Sequence, residues 1–182
     1  MTAASRRGMH RVFFALWPDV AAAHALASVC AGDRDAVLVE DLHLTLVFIG
    51  ALSTADFERL PLLAAQLRCA PFELCLDQTE YWERPRVRVA VPRVVPVELL
   101  ALRQQLLERL AAAGIGQSRS TEPEFRAHVS LTRAGASPEG PVGMLAPVAW
   151  HTTHVTLAVT EPAPGGAHYR RAASLALAAS GA

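Results

Sequence analysis

The sequence predicts an α+β protein whose strands pair mainly antiparallel. Segments with strand and helix patterns alternate along the 182 residues, several connections are short enough for hairpins, and one strand motif occurs twice. The composition, 52% apolar and 19% charged, suits a buried core and excludes a disordered chain. We expect a single domain over residues 1–182, with two similar lobes around a cleft and residues 1–10 as a loose N-terminal arm.

Apolar runs and prolines define the elements of the first half of the chain. Pro18 suits the first turn of a helix, Thr54 is a suitable N-cap, and Pro61 should kink or divide the helix that follows. In chain order the predicted elements are a strand over 11–17, a helix over 18–30, a short strand over 37–39, the first motif strand over 42–49, a loop over 50–53 and a helix over 54–69.

The second half is richer in strands. Its best helix begins near Pro96 and ends before Gly114, because four leucines between them recur at helical spacing. In chain order the predicted elements are a strand over 72–82, a strand over 84–91, a helix over 96–113, a polar loop over 116–124, the second motif strand over 125–132, an irregular segment over 135–144, a long strand over 148–159, a turn over 161–166 and a last strand over 168–177.

Arginine and valine alternate in the predicted strand over 84–91, so that one face is apolar and the other positively charged. The charged face comprises Arg84, Arg86 and Arg88. Two interpretations of this face remain open: a wall that attracts a phosphate, and a solvated outer surface without a ligand.

The repeated motif places a histidine and a hydroxyl side by side in two strands. Each copy begins with His, has a hydroxyl residue two positions later and ends with Gly, and the copies span residues 43–50 and 128–135. Residues i and i+2 of a strand share a face, so His43 lies beside Thr45, and His128 beside Ser130. We interpret the two pairs as halves of one active site. The alternative is a coincidence of two structural histidines.

Two histidines on facing strands can hydrolyse a phosphodiester without a metal, a cofactor or a covalent intermediate. One neutral imidazole takes a proton from the attacking water, and the other, as imidazolium, gives a proton to the leaving oxygen. The hydroxyls of Thr45 and Ser130 can donate hydrogen bonds to the non-bridging oxygens, where charge builds up in the transition state. We therefore expect His43 and His128 to be catalytic, and we expect neither a metal site nor a cofactor.

Several residue counts exclude other classes of protein. All 17 basic residues are Arg, and without lysine the chain can form no Walker-type phosphate loop, lysine-adenylate ligase or Schiff-base enzyme. A net charge of zero argues against a long nucleic-acid track. Three cysteines without a CxxC pair predict reduced thiols in the cytoplasm, and no apolar run is long enough to span a membrane.

The motifs resemble those of the two-histidine phosphoesterase superfamily, and within it the bacterial and archaeal RNA 2′,3′-cyclic phosphodiesterases, also called 2′-5′ RNA ligases. The likeness covers most of the chain, from the opening segment over 11–18 through both motifs to a final strand near Tyr169. The second motif departs from the family pattern at Ala127, where the family has Pro, and at Ser130, where it has Thr. Serine keeps the hydroxyl, so we expect the chemistry to be retained.

The resemblance implies both a fold and a reaction. The fold would have two mainly antiparallel sheets related by a pseudo-twofold axis, with helices outside and a central groove. The reaction would hydrolyse a terminal 2′,3′-cyclic phosphate of RNA to a 2′-phosphomonoester, with 2′-5′ ligation as the reverse transesterification. The residue roles that it implies are His43 as general acid, His128 as the base that activates water, Thr45 and Ser130 as phosphate ligands, Arg133 as a charged phosphate contact and Phe48 as a stacking partner of the terminal base or ribose.

The implied roles of Phe48 and Arg133 conflict with simple strand geometry. Each residue lies five positions after its histidine, so strict alternation places it on the opposite face of the strand. Only a strand end or a bulge would bring it back to the histidine. A core Phe and a surface Arg are therefore the alternatives for these two positions.

Two alternatives to the enzyme remain. A module of the same fold could bind AMP-like nucleotides without turning them over, and a structural protein could carry the histidines without using them. Turnover of a 2′,3′-cyclic mononucleotide in the presence of EDTA distinguishes the enzyme from the binding module. For the structural protein, His43→Ala and His128→Ala would change stability but remove no activity. For the leading hypothesis we expect RNA with a 2′,3′-cyclic end or a cyclic nucleotide as the ligand, no membrane association, and a monomer in the cytoplasm.

Overall fold

The computed structural model of the protein describes residues 9–116, 125–163 and 166–179. Within these ranges eight strands form one antiparallel sheet, three α-helices flank it, and a short 3-10 turn covers Val39–Asp41. The strands are β1 Met9–Leu16, β2 Leu44–Ser53, β3 Phe72–Trp82, β4 Val87–Val91, β5 Val129–Ser130, β6 Gly143–Thr152, β7 His154–Ala163 and β8 Gly166–Ala176. The helices are α1 Val20–Val29, α2 Thr54–Ala64 and α3 Val97–Ala112.

The two motif strands occupy the centre of the sheet. The strand order is β6-β3-β4-β5-β2-β1-β7-β8, so four strands lie on each side of the boundary between β5 and β2. These two strands pair at one registered position, where Leu44 lies opposite Val129. The predicted α+β class with antiparallel pairing is confirmed. The structure differs from the expectation of two sheets, because this central pairing joins all eight strands into one.

The sheet must bend strongly, because its sixth and seventh strands are consecutive in sequence but far apart in the strand order. Five strands lie between β6 and β7, which corresponds to about 29 Å in a flat sheet. Only Thr153 separates Thr152 from His154, a span of at most about 7 Å. The long strand predicted over 148–159 is therefore wrong: it is two strands of different sheet halves. The predicted pseudo-twofold axis stays a prediction.

The main core lies between the helices and one face of the sheet. In α3 the predicted leucine stripe is buried, and its members are Leu99, Leu102, Leu106 and Leu110. Helix α1 begins as expected after Pro18, because the side chain of Asp19 accepts a hydrogen bond from the Ala22 N–H at 2.8 Å. Among the described residues, no helix is long and apolar enough to cross a membrane.

Three local predictions around β2 are wrong. The short strand predicted over 37–39 is absent from the described chain, where Ala36 forms an isolated bridge and Val39 begins the 3-10 turn. The loop predicted over 50–53 is the end of β2. The N-cap of α2 is Ser53 instead of Thr54, since the Ser53 Oγ accepts the Asp56 N–H at 3.2 Å.

The predicted ends of α2 and of the N-terminal arm also differ from the structure. Helix α2 contains Pro61 and ends three residues later, well before the predicted end at Cys69. The predicted N-terminal arm is shorter, because Met9 and His10 pair with the end of β2. The remainder of that arm, residues 1–8, lies outside the described residues, as do residues 117–124 of the predicted polar loop.

The predicted arginine face does not form a continuous exposed surface, because Arg88 is buried. Arg88 is only 1% exposed, donates to the Asp33 carboxylate at 2.7 Å, and also contacts the Glu139 carbonyl. The next residue, Val89, lies opposite Ser130 and shares its face of the sheet. Successive residues of a strand point to opposite faces, so Arg88 points to the other face. Arg84 and Arg86 are exposed in the turn before β4. Both interpretations are therefore wrong for Arg88, which is a buried structural residue.

Candidate active site

The single registered pair between β2 and β5 brings the two motifs together. Leu44 and Val129 face each other and are fully buried on the core side. Extending this antiparallel register by one residue places His43 opposite Ser130 and Thr45 opposite His128. All four side chains are partly exposed on the other face of the sheet, where directly opposite residues are about 5 Å apart. We call this surface the histidine face.

A bulge in β2 returns Phe48 to the histidine face. The register between β1 and β2 pairs Ala15 with Thr45 but Phe14 with Val47, so Leu46 is an extra residue. Phe48 consequently lies opposite Phe13 and packs in the same aromatic cluster. The conflict raised by strict alternation is resolved at this position, and the alternative of a Phe in the main core is not what the structure shows.

A second irregularity, at the equivalent point of the other motif, returns Arg133 to the same face. The N–H groups of Leu131 and Thr132 both donate to the Arg88 carbonyl, at 2.9 and 3.3 Å. Both residues are buried, and Arg133 after them is partly exposed. The positive charge of Arg133 is close enough to Tyr169 to affect the pKa of its phenol. Burial and the charge of Asp41 raise the pKa of that phenol, and Arg133 counteracts them.

Both imidazoles are held in the same tautomer by the backbone. The Nδ1–H of His43 donates to the Asp41 carbonyl at 2.6 Å, and the Nδ1–H of His128 donates to the Arg126 carbonyl at 2.8 Å. A carbonyl oxygen only accepts hydrogen bonds, so Nδ1 carries the proton in each neutral ring. The titrating lone pair therefore lies on Nε2, the nitrogen that a general base or acid uses.

Asp41 anchors the turn that holds His43. Its carboxylate is only 2% exposed, accepts the backbone N–H of Tyr169 at 3.2 Å, and pairs with the His168 ring at 3.0 Å. Strand β8 is thus connected to the carbonyl that orients the first catalytic candidate. The sequence analysis missed Asp41 and His168. The available signal was an acidic residue two positions before the motif histidine, but its partners are more than 120 residues away in sequence.

Burial lowers the pKa of His43 to about 4, because the charged imidazolium would lose much of its hydration. The hydrogen bond to the Asp41 carbonyl and the charge of Asp41 act in the opposite direction, while the charges of His128 and Arg171 lower the pKa further. The influence of His128 agrees with the closeness of the two rings that the strand register requires. His43 is consequently neutral near pH 7 in the free protein.

Each histidine lies against a tryptophan that carries an arginine. Trp17 stacks on His43 with ring centroids 4.9 Å apart, and Arg171 lies 4.9 Å from the centroid of Trp17. In the other half, the ring of Trp82 lies 4.6 Å from His128 and has Arg126 above it. The sequence analysis missed these four residues, because the two tryptophans reach the histidines only through sheet pairing: Trp17 through β1 and β2, and Trp82 through β3, β4 and β5.

The site contains no arrangement of metal ligands among the described residues. No group of three or more His, Cys, Asp or Glu side chains within those ranges could hold a metal ion. The polar groups that the sequence analysis selected are instead two imidazoles, two hydroxyls and one guanidinium around a single face. Such a set can exchange protons with an anionic ester and donate hydrogen bonds to its oxygens.

Comparisons with known proteins agree with this arrangement. A sequence model of the 2′-5′ RNA ligase superfamily matches residues 14–142. The RNA 2′,3′-cyclic phosphodiesterase of Escherichia coli K12 is 36% identical over 97 residues, which are 53% of this chain and 53% of that protein. The aligned part of the chain thus spans about half the length of this curated relative.

Solved structures extend the likeness to nearly the whole chain. A crystal structure of E. coli LigT complexed with 3′-AMP matches with a TM-score of 0.82 at 28% identity, covering 93% of this chain and 98% of that one. A crystal structure of a phosphoesterase matches with a TM-score of 0.83 at the same identity and coverage. Fold and site together define a two-histidine phosphoesterase. The chain belongs to the 2′-5′ RNA ligase superfamily, as the resemblance of its motifs predicted.

Proposed function

We propose that the protein hydrolyses terminal 2′,3′-cyclic phosphodiesters of RNA to 2′-phosphomonoesters, without a metal or another cofactor, by general acid and base catalysis. One observation carries the proposal: the pairing of Leu44 with Val129 brings His43 and His128 to one face on adjacent strands. The hydrogen bonds that both Nδ1–H groups donate to backbone carbonyls leave Nε2 as the reactive nitrogen of each ring. The name of the E. coli relative, an RNA 2′,3′-cyclic phosphodiesterase, supports this choice of substrate.

The proposed reaction is an in-line displacement at phosphorus. His128 removes a proton from water, the water oxygen attacks, and the bond from phosphorus to the 3′ oxygen breaks as His43 protonates that oxygen. Thr45 and Ser130 donate hydrogen bonds to the non-bridging oxygens. The arrangement on one face lets these four groups surround one phosphate.

Two further residues would bind the terminal nucleotide. The guanidinium of Arg133 would add a charge-assisted hydrogen bond to the phosphate. Phe48 would stack on the terminal base or ribose, within the aromatic cluster that surrounds His43. The register shift in β2 and the two N–H groups that share the Arg88 carbonyl support these roles, because each returns its residue towards the histidine face.

The lowered pKa of His43 affects the assignment of acid and base. As the general acid, His43 must gain a proton when the substrate binds, and a phosphate anion close to Nε2 would raise its pKa. The reverse assignment, with neutral His43 as the base, requires no such increase. We retain His43 as the acid, following the family pattern. This assignment requires the pKa of His43 in the complex with substrate to lie above its value in the free protein.

A 2′-5′ ligation would follow the same displacement at phosphorus with a different nucleophile, and it is the reverse of the cleavage of a 2′-5′ diester by transesterification. A 5′-hydroxyl takes the place of water, and its oxygen displaces the 3′ oxygen of the cyclic phosphate. This transesterification needs no nucleotide-carrying lysine, which the chain does not have. We place either reaction in the cytoplasm, and we propose a monomer as the active form.

A nucleotide-binding module is the second candidate. The aromatic rings around His43 favour it, and solved relatives include E. coli LigT complexed with 3′-AMP, ATP and NADP+. Such a module would bind adenine nucleotides without forming a product. Product formation in a chelator therefore decides between the two candidates.

The test is product analysis with an oligonucleotide that ends in a 2′,3′-cyclic phosphate, in the presence of EDTA. We expect the wild-type protein to release a 2′-phosphomonoester end, and His43→Ala and His128→Ala to release almost none. His24→Ala is the matched control, since His24 lies exposed on α1. Binding of the oligonucleotide without any product would favour the module, and full activity of both site variants would refute the paired-histidine site.

A further inference from the structure

Trp82 lies beside His128, but the proposed hydrolysis does not use it. The planes of the two rings are inclined by 56° with centroids 4.6 Å apart, and the Arg126 guanidinium carbon lies 4.4 Å from the centroid of Trp82. Glu80 fixes both partners, because its Oε2 accepts hydrogen bonds from the Trp82 indole N–H, at 2.6 Å, and from Arg126. We call His128, Trp82 and Arg126 the Trp82 column.

The outer end of the Trp82 column is open to solvent. The Arg126 side chain is 54% exposed although its ion pair with Glu80 holds it in place, and Trp82 is partly exposed. Nucleobases stack on guanidinium planes and on aromatic rings. A platform that is already ordered loses little conformational entropy when a base stacks on it. Since Glu80 neutralises Arg126, the platform suits an uncharged base better than a phosphate.

Packing alone does not account for the column. Trp82 covers the apolar floor formed by Val87, Val89 and Val91, which explains why a large side chain lies there. It does not explain a carboxylate that fixes both the indole and the guanidinium above it. The two hydrogen bonds to the Glu80 Oε2 atom fix the orientation of Trp82 and Arg126 relative to each other. A side chain that only covers the apolar floor would not need a fixed orientation.

The column has a counterpart on the opposite side of the phosphate position. There Trp17 stacks on His43 and Arg171 lies above Trp17. Trp17 directly follows β1 and Trp82 ends β3, and these two strands lie on opposite sides of the central pair β2 and β5. A single nucleoside beside one histidine therefore leaves the other platform uncovered. A phosphodiester with a nucleoside on each side of phosphorus would cover both.

We propose that Trp82 and Arg126 form a second nucleoside-stacking subsite, which holds the base of the nucleoside joined to phosphorus on the His128 side. The inference rests on the proposed function, which places the phosphate between the two histidines. The ligand class is a nucleoside with a 5′-oxygen, free or within a 2′-5′-linked diester. Stacking alone carries no sequence information, so all four bases should bind.

The subsite would place the attacking 5′-hydroxyl for the ligation reaction. The 5′-hydroxyl oxygen of the stacked nucleoside attacks phosphorus, and the bond from phosphorus to the 3′ oxygen breaks. His128 accepts the proton of the 5′-hydroxyl, and His43 donates a proton to the departing 3′ oxygen. The reverse sequence cleaves a 2′-5′-linked dinucleotide into a 2′,3′-cyclic end and a 5′-hydroxyl nucleoside.

Calorimetry with two diesters of equal charge tests the subsite. One is 3′-deoxyadenylyl-(2′-5′)-adenosine, and the other is 3′-deoxyadenosine 2′-(methyl phosphate), which lacks the second nucleoside. Neither can be cleaved through a cyclic phosphate, because the 3′-hydroxyl is missing. We expect the wild-type protein to bind the dinucleotide about tenfold more tightly, as one stacked base provides.

Variants of Trp82 and Trp17 show which tryptophan is responsible for the tighter binding of the dinucleotide. Trp82→Leu should bring the ratio of the two dissociation constants close to one, Trp82→Phe should keep most of it, and Trp17→Leu should weaken both diesters while keeping the ratio. A wild-type ratio near one, an unchanged ratio in Trp82→Leu, or a ratio lost in Trp17→Leu instead would overturn the subsite.

Turnover of a 2′,3′-cyclic mononucleotide, measured in parallel, separates this inference from the proposed function. A tenfold ratio that depends on Trp82 supports the subsite even if no cyclic mononucleotide is hydrolysed, in which case the proposed function fails. Hydrolysis together with a ratio near one overturns the subsite and leaves the proposed function in place.

Discussion

The carboxylate of Asp41 accepts a hydrogen bond from the backbone N–H of Tyr169, a residue 128 positions later in the chain, while its own backbone carbonyl accepts the Nδ1–H of His43. One residue thus connects the last strand of the sheet to the orientation of the first histidine. The connection is buried, since Asp41 is almost inaccessible to solvent. A change at this position should therefore alter both stability and catalysis.

Asp41→Ala should reduce kcat by about tenfold and the free energy of unfolding by about 1–3 kcal/mol. The Tyr169 N–H and the His168 ring would lose their buried partner, and the turn that positions the His43 ring would loosen. Asp41→Asn keeps an oxygen for the Tyr169 N–H and should retain more of both quantities. Steady-state kinetics with denaturant unfolding measures them. A kcat that is unchanged in Asp41→Ala would show that the anchor has no part in positioning His43.

The stability of the folded protein should fall as the pH is lowered from about 6.5 to about 4. The pKa of His43 is about 4 in the folded protein and near 6.5 in the unfolded chain, so the unfolded state binds more protons within this window. The contribution is fully present above pH 6.5 and is lost as the pH falls through the folded value.

His43→Gln should remove this part of the slope, which is at most about 1.4 kcal/mol per pH unit. Denaturant unfolding at several pH values measures the slope, and His24→Gln on the exposed side of α1 is the matched control. If wild type and His43→Gln show the same dependence on pH between 4 and 6.5, the burial of His43 does not lower its pKa as described.

The pH dependence of kcat/KM should be bell-shaped, with an ascending limb near pH 4. The limb reports the pKa of His43 in the free enzyme, which burial holds well below the usual value of imidazole. In the kcat profile the same limb should lie at higher pH, because the bound phosphate anion favours the imidazolium. Circular dichroism at each pH confirms that the protein is folded. A kcat/KM profile without an ascending limb below pH 5 would contradict this account.

Arg88→Ala should destabilise the protein by about 2–3 kcal/mol and leave the KM of a cyclic phosphate within about twofold of wild type. Arg88 is buried on the face opposite the histidines, where it pairs with Asp33 and the Glu139 carbonyl. The loss is smaller than for a pair that is buried on both sides, because Asp33 is partly exposed. A large increase in KM with unchanged stability would restore the phosphate-binding interpretation of this strand.

The elements that could be predicted from the sequence are those with a strong local signal. The strand at Val87–Val91 and the helix that carries Leu99 and Leu110 follow directly from alternation and from leucine spacing. The pairing of a histidine with a hydroxyl in each motif follows from the two-residue period of a strand. These local rules were sufficient to place Thr45 beside His43 and Ser130 beside His128 on one face of the sheet.

The features that could not be predicted depend on contacts between distant segments. The bulges at Leu46 and after Leu131 arise from the neighbouring strands, and no turn residue marks them in the sequence. The break at Thr153 separates two runs of similar composition, and only their partners in opposite halves of the sheet distinguish them. The partners of Asp41 and the tryptophan beside each histidine likewise become visible only through sheet pairing.

The most direct test of the central claim is a double-mutant measurement of kcat for a 2′,3′-cyclic mononucleotide in EDTA. If His43 and His128 act on one phosphorus, each single change to alanine should reduce kcat by about 10²–10⁴-fold, and the double change should cost little more than the worse single change. Two losses that multiply fully, or a variant that keeps wild-type kcat, would show that the two imidazoles do not share a reaction.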